Sequence, residues 1–412
     1  MLVVTLTDCR QYLSSQICKF QGPLTPSLPA LQPDPQKCTV VGQGLELAET
    51  GQQAHFEVHL ADMDGDPCTT EQQVTAKLRS LVDSSVTPTS VAHKTQDIYE
   101  VSFQPNTRGR HKLCVQVNDE PVQGSPFLVY VRQAPHLLGK PVRVIKELDN
   151  PNMVAITSSG ELVVSENCKI SILSRDGKRI KSIDTTSVRS GIRRYKLNPN
   201  GVAVDEDSNI YVSDTESNRL SKFNSDGKLV KSVGGEGDRS GQFYYPCGIA
   251  LSKDNKLFIC DYINRRIQVF DTNLKFIFGF GKQGSGEGEM RYPEDLAFDP
   301  AGHLYVADTF NHRVQVFSTN GTYLRAFGVH GSGPGELSSP IGCVHVDHDY
   351  VYLADSMNHC VSVFHTSGAF ITSFGSRGSG EGELDHPIRG ITTDQDGFLY
   401  VCDTDNNRIQ IF

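Results

Sequence analysis

The groups in this chain that could do chemistry come as a repeat. Asp214, Asp261, Asp308, Asp355 and Asp403 are separated by 47, 47, 47 and 48 residues. An asparagine three residues on and a cation five residues on usually follow, the cations being Arg219, Arg266, Arg313 and Arg408. Ser217 replaces the asparagine in one copy and Cys360 replaces the arginine in another. Acid, amide and guanidinium at fixed spacing could hold a polar ligand. They could equally fasten a loop, because Asp and Asn side chains close turns on the neighbouring backbone. Recurrence in nearly every copy points to fastening, since a ligand site normally breaks the symmetry of its array. A second group does break it. Arg189, Arg193, Arg194, Tyr195 and Lys196 fall within one eight-residue stretch, and Tyr245, Arg265 and Tyr292 lie in loops of the copies that follow. Cations beside exposed tyrosines suit the phosphates and bases of an RNA strand. They suit an acidic protein surface as well, because Tyr and Arg anchor interfaces of both kinds. Nucleophilic chemistry has no such support: the chain contains no Gly-x-Ser-x-Gly. Nor does it contain a Cys-x-x-Cys pair of the kind that opens common zinc fingers.

The elements that must position these residues can be read from one copy. Asp295 to Phe298 reads as a first strand, turned back by Pro300-Ala-Gly302. Leu304 to Ala307 is a second strand, Asp308 to Arg313 a loop, and Val314 to Phe317 a third strand. Thr319-Asn320-Gly321 is a hairpin signal, and Tyr323 to Phe327 is the fourth strand. Four short strands in a unit near 47 residues, repeated, describe the blade of a propeller. Five copies are clear and a worn one centres on Glu166, with Lys169 for the arginine. The chain stops after the third strand of the sixth blade. Pro141 to Leu148, ahead of the first blade, is expected to supply the missing strand and seal the ring, which removes exposed edges.

The pattern Asp-x-x-Asn-x-Arg followed by Val-Gln-Val-Phe, with Phe-Gly-x-x-Gly ahead of a Pro-x-Gly strand, resembles NHL repeats. The resemblance covers residues 138–412, about two thirds of the chain. Residues 38–132 differ: Phe56, Val58 and Leu60 alternate with polar residues, as do Tyr99, Val101 and Phe103, and Leu113, Val115 and Val117. Phe127 to Val131 reads as a strand buried on both faces. Short alternating strands of this kind predict an antiparallel sandwich. Val41-Gly42-x-Gly44-Leu45, Tyr99-x-Val-x-Phe103-x-Pro105, Gly109 and Gly124-Ser125-Pro126-Phe127 resemble a filamin repeat, an immunoglobulin-like domain. Residues 1–37 hold Pro23, Pro26, Pro29, Pro33 and Pro35 within a short span and read as a linker or a truncated upstream region. The expected class is all-β: a filamin-type immunoglobulin-like sandwich followed by a six-bladed propeller.

Bulk properties bound the function. The net charge of -9 argues against a globally basic nucleic-acid binder, and no DNA partner is expected. Residues 140–239 hold 17 Lys+Arg against 14 Asp+Glu, whereas residues 240–412 hold 12 against 20. An RNA would therefore be held near the first three blades. No apolar run is long enough to span a membrane. The first residues do not form a secretory signal, and eleven scattered cysteines read as reduced thiols, which places the chain in the cytoplasm. Cys260 and Cys402 are expected to be buried core. Some six-bladed propellers hold a catalytic ion on their axis. Here the position after each blade-opening proline holds Asn152, Asn200, Cys247, Glu294, Ile341 and Ile388, so neither metal nor cofactor is expected.

A filamin-like domain followed by six NHL repeats resembles the C-terminal half of tripartite-motif NHL proteins. In that family a RING finger supplies ubiquitin-ligase activity, and some NHL propellers bind RNA stem-loops or linear motifs on their loop face. This sequence has no RING, B-box or coiled coil, so it is expected not to transfer ubiquitin as written. The resemblance implies a non-catalytic adaptor that binds a protein partner, or alternatively single-stranded or stem-loop RNA, on the loop-rich face.

Overall fold

The computed structural model describes residues 32–68, 72–95, 97–185, 188–190, 193–195, 198–338, 341–385 and 390–412, the side chains of 136, 188–190, 193–195 and 341 apart. Residues 1–31 lie outside them. Within the described residues the only helical turns are three of 3-10 type, at Gln43–Leu45, Pro135–Leu137 and Thr309–Asn311. Everything else ordered is strand.

The first unit is a sandwich. One sheet runs Thr39–Val41, Ala54–His59, Ile98–Phe103, Thr89–His93. The other is built on Phe127–Arg132, Gly109–Val117 and Val74–Ser80, with Leu47–Glu49 added in parallel to the first of these. Alternate residues meet between the sheets, where Phe56, Val58, Val101, Leu113, Val115 and Val129 are buried. Asp34 already touches this unit, donating its amide to Ala61 O at 2.8 Å. One expectation needs correcting. Phe127–Arg132 is not buried on both faces: Leu128 is 60% exposed, and Tyr130 turns toward the second unit. A continuous apolar run does not distinguish core from a face that meets another domain.

The second unit is a ring of six four-stranded sheets. In the fourth blade the strands are Pro293–Phe298, Leu304–Asp308, Arg313–Phe317 and Tyr323–Phe327, antiparallel in sequence order. Their inner strands read as buried throughout because neighbouring blades cover both faces. Cys260 and Cys402 are fully buried among them. The ring closes as the sequence suggested. Arg143–Ile145 pairs antiparallel with Arg408–Ile411 and serves as outer strand of the sixth blade.

Blade contacts blade through a small fitted joint. In the second, fourth and fifth blades the hairpin before the outer strand abuts the end of the previous blade's outer strand. A Cβ on Gly321 would lie 2.7 Å from the Phe280 ring, one on Gly368 2.8 Å from Phe327, and one on Gly227 2.7 Å from Ile183. These glycines also have positive φ, 85° at Gly321, so both the turn and the close approach require glycine.

The sandwich sits on the face of the ring that carries the first-to-second-strand turns. Arg132 is 4% exposed and joins the two units. Its Nη2 donates to Glu49 Oε1 at 2.8 Å and to Asp349 Oδ2 at 3.4 Å, its Nη1 donates to Asp347 O at 3.3 Å, and its guanidinium lies 3.8 Å from the Tyr350 ring centroid. Arg110 reaches Asp396 at 3.2 Å, and Asp396 also pairs with Arg175 of the first blade. The Tyr130 ring stacks on His348 at 5.4 Å. The opposite face, where the second-to-third-strand loops and the inter-blade loops lie, is left uncovered by the sandwich.

Candidate recognition face

The repeated aspartate sits at the base of each loop on the open face. Asp308 is fully buried, and its Oδ1 accepts the Arg291 amide at 2.6 Å. Its Oδ2 accepts Asn311 Nδ2 at 2.8 Å, Arg313 Nε at 2.8 Å and Gln315 Nε2 at 2.9 Å. Those donors then hold the preceding inter-blade loop: Asn311 on Gly284 O, Arg313 on Gly286 O and Glu289 O, Gln315 on Glu289 O. Asp261 and Asp403 repeat the arrangement with Asn264, Arg266 and Gln268, and with Asn406, Arg408 and Gln410. Burial pushes the Asp261 carboxyl up from its ordinary range, against the pull of Tyr244 N–H, Asn264 and Arg266. Asp214 accepts the amides of Glu216 and Ser217, and Asp355 accepts Asn358 Nδ2 at 2.8 Å. The glutamine two residues after the arginine, part of the repeat pattern in three blades, is thus a fastener as well, a role that the sequence pattern does not reveal. In the worn first blade Glu166 pairs with Lys169, at the arginine position, at 3.2 Å, and also accepts Arg179 Nη1 from the outer strand at 3.0 Å. Every acceptor of Asp308 is filled from its own blade joint, which leaves it no free valence for a ligand.

The symmetry-breaking residues divide into two sets. Arg189, Arg193, Arg194 and Tyr195 lie in a two-stranded hairpin, Val188–Ser190 with Arg193–Tyr195, whose register pairs Arg189 with Arg194. Their side chains, and Lys196 entirely, lie outside the described residues. Tyr245, Arg265 and Tyr292 are brought together. The Arg265 guanidinium lies 4.6 Å from the Tyr292 ring centroid, and its Nη2 donates to Tyr292 Oη at 2.8 Å. The structure adds two residues to them. Tyr262 lies between Tyr245 and Tyr292, with ring centroids 5.7 and 5.0 Å away, and Phe310 lies 5.0 Å beyond Tyr292. Four rings thus form a continuous ladder across three blades. Tyr245 is 37% and Phe310 41% exposed, so the ladder opens to solvent at both ends.

Backbone geometry holds the ladder. Tyr245 and Tyr292 both have φ of 61°, and Arg265 has 55°, a left-handed conformation rare for bulky side chains. The Tyr245 amide is fixed by Asn218 Oδ1 at 2.7 Å and the Tyr244 amide by Asp261 Oδ1 at 2.8 Å. The loop fasteners therefore determine where the rings point. Burial, and then Glu294 beside it, pushes the Tyr262 phenol well above its ordinary range, so it stays neutral. The missed aromatics had a signal. The residue after the repeated aspartate is Thr215, Tyr262, Thr309, Ser356 and Thr404, and the next is Glu216, Ile263, Phe310, Met357 and Asp405. Tyr262 departs from the small polar residues of its column, and Ile263, Phe310 and the 53%-exposed Met357 are apolar where Glu216 and Asp405 stand in the other two copies.

No group of three or more His, Cys, Asp or Glu among the described residues stands where it could hold a metal ion. Near the axis Asn152, Asn200 and Cys247 are buried. Ile388 and the Ile341 side chain lie outside the described residues. Asp295, next to Glu294, is the buried acid of the axis, and it takes hydrogen bonds from Cys343 Sγ at 2.9 Å and Val344 N at 3.1 Å. A cleft of 1220 Å³ opens between the sandwich and the fourth and fifth blades, on the face away from the ladder.

The Filamin/ABP280 repeat model matches residues 32–128, and the NHL repeat model matches 197–223, 290–317 and 388–412. The chain joins a filamin repeat to NHL repeats. This filamin–NHL pairing is that of the C-terminal half of tripartite-motif NHL proteins. The chain is 36% identical over 104 residues to the E3 ubiquitin-protein ligase TRIM45 of Bos taurus, a match covering 24% of this chain and 18% of that protein. It is 30% identical over 182 residues to the E3 ubiquitin-protein ligase TRIM71 of Gallus gallus, covering 44% of this chain and 16% of that protein. The matched region is thus less than a fifth of either relative's length. A structural genomics protein of unknown function from Bacteroides thetaiotaomicron has a TM-score of 0.55 at 13% identity, covering 94% of this chain and 98% of that one. At that identity the likeness is one of fold.

Proposed function

We propose that the filamin–NHL chain is a non-catalytic recognition scaffold that binds a protein partner on the loop-rich propeller face, centred on the ladder Tyr245–Tyr262–Tyr292–Phe310 and Arg265. The observation that supports this reading is a solvent-open aromatic row held by left-handed backbone and loop fasteners. Rigid aromatics beside an arginine lose little entropy on binding and supply the anchors that dominate interfaces. The surrounding inter-blade loops are acidic and glycine-rich, as in Gly284-Ser-Gly-Glu-Gly-Glu289, which disfavours a polyanion over the ladder itself. We further propose a cytoplasmic location, on the scattered cysteines, those among the described residues being free thiols.

A second reading is favoured by the basic hairpin between the first and second blades: single-stranded or stem-loop RNA, with bases on the rings and phosphates at Arg189, Arg193 and Arg194. One experiment separates the two. Tyr292→Ala/Phe310→Ala and Arg193→Ala/Arg194→Ala variants are compared with wild type, by affinity capture of partners and by binding of labelled RNA across a salt series. The adaptor reading expects partner loss in the first variant, with RNA binding weak and equal throughout. Steep salt dependence that the second variant abolishes would assign the face to RNA. Partners that survive both variants would remove the ladder as the site.

A further inference from the structure

The outer strands of the blades are the open edges of the ring. In the first five blades they are Arg179–Asp184, Leu229–Gly234, Phe276–Phe280, Tyr323–Phe327 and Phe370–Phe374, and among the described residues each pairs with a strand on one side alone. Each also exposes one aliphatic residue, Ile180, Val230, Ile277, Leu324 and Ile371. An open edge with exposed apolar side chains is a template for another strand unless charge, proline or a covering element blocks it. Arg179, Lys181 and Asp184 guard the first blade, Lys231 the second and Arg325 the fourth. The fifth, Phe-Ile-Thr-Ser-Phe, carries no charge, but the turn Pro135–Leu137 packs against it. The third, Phe-Ile-Phe-Gly-Phe, carries no charge, and among the described residues its one strand partner is Arg266–Asp271.

The geometry of that strand suits an added chain. Phe276, Phe278 and Phe280 pack into the blades, with ring centroids 5.7 Å from Phe270, 6.4 Å from Phe258 and 5.2 Å from Phe317. Ile277, 43% exposed, and Gly279 lie on the alternate face. A glycine inside a strand lets a second backbone or side chain approach closely. Cations bracket the strand. Lys275 is exposed at one end, where Lys231 Nζ also reaches Asn273 O at 2.6 Å, and at the other the Lys282 side chain is 77% exposed, in a surface ion pair with Glu289 at 3.2 Å that solvent screens and an incoming carboxylate can share.

We propose that Phe276–Phe280 is a docking edge for an extended segment of another protein, which adds to the third blade as a fifth strand and carries an apolar centre between carboxylates. The strand supplies main-chain hydrogen bonds, and the flanking lysines select acidic ends. A second copy of this chain is the poorer fit. Antiparallel self-pairing centred on Phe278 would set residue 275 against 281 and 274 against 282, and so crowd Lys275 of each copy against Lys282 of the other. Lys282 belongs to the inter-blade loop that ends at Tyr292, but the strand itself lies on the rim, so protection of the amides 276–280 tests this edge apart from the ladder.

The probe is a fluorescein-labelled peptide with a Val-Thr-Val-Thr-Val centre and paired glutamates at each end, alongside a version ending in lysines. The full chain is expected to bind the glutamate peptide and to show slowed amide exchange confined to 276–280. In Lys275→Glu/Lys282→Glu the preference inverts, with the glutamate peptide weakened by about tenfold or more and the lysine peptide gained. Both substituted side chains are exposed, and a thermal melt checks that the variant folds. Equal binding of the two peptides by wild type, or unchanged exchange at 276–280, would overturn the proposal. So would a dimer in sedimentation velocity that Ile277→Lys dissolves, since this would assign the edge to a second copy.

Discussion

Asp308 and Asp295 are two carboxylates with almost no solvent contact, and their surroundings serve them unequally. Asp308 receives four donors from side chains and backbone. Asp295 receives Cys343 Sγ and Val344 N on one oxygen, while its Oδ1 is buried with no hydrogen-bond partner. Burial pushes the Asp295 carboxyl up to about 6 from an ordinary value of 3.8, against the opposing pull of the Cys343 and Val344 donors. A folded pKa above the unfolded one contributes stability that is complete below about 3.8 and lost as pH rises through about 6. Asp295→Asn removes the ionisation. It is expected to stabilise the chain at pH 8 by about 1–3 kcal/mol and to do almost nothing at pH 4, as urea melts at the two values would show. A variant that is equally destabilised at both values would mean that the carboxylate is needed as an acceptor. The repeated aspartates were legible in the sequence as loop fasteners because one role repeats at one phase. Asp295 was not, since its meaning lies in a thiol that belongs to the next blade.

At the scale of elements, the joint between blades is steric as well as hydrogen-bonded. The hairpin glycine of one blade rests on the last aromatic or aliphatic residue of the neighbour's outer strand. Gly321→Ala places a Cβ 2.7 Å from the Phe280 ring at φ 85°, and is expected to destabilise by about 2–3 kcal/mol from strain and overpacking together. Gly302→Ala has similar φ, 89°, but nothing within 4 Å, and is expected to cost about 1 kcal/mol from the backbone alone. Chemical denaturation of the pair separates the terms; equal losses would show that packing at Phe280 is irrelevant. The strands themselves were readable residue by residue, to within two residues in the fourth blade. Phe127–Arg132 was misread because a run of apolar types does not say whether the second face meets core, water or another domain.

Over the whole molecule, charged and polar contacts clamp the sandwich to the ring, and Arg132 is the centre of the clamp. Its removal leaves Glu49 and Asp349 facing each other and strips the cation from Tyr350. Arg132→Ala is expected to destabilise by about 3 kcal/mol and to split one calorimetric transition into two as the units uncouple. A single, unshifted transition would count against a coupled pair. Because the clamp uses the first-to-second-strand turns, it turns the ladder face away from the sandwich and leaves that face uncovered by the filamin repeat.

Much follows from the sequence by itself. The period near 47 residues dictates six blades, because each unit can bury its sheet only against another like it, and the alternating strands ahead of them dictate a sandwich. The residue types at Tyr245, Arg265 and Tyr292 announce a departure from the repeat. Only the tertiary structure decides that these three touch, that Tyr262 and Phe310 complete their row, and that the basic hairpin is a separate element. It alone decides which face the sandwich covers, since Arg132 and Asp349 are 217 residues apart and belong to no shared motif. Periodicity reports which residues each element buries. It carries no information on how loops from successive blades converge, because ring closure and domain docking determine that.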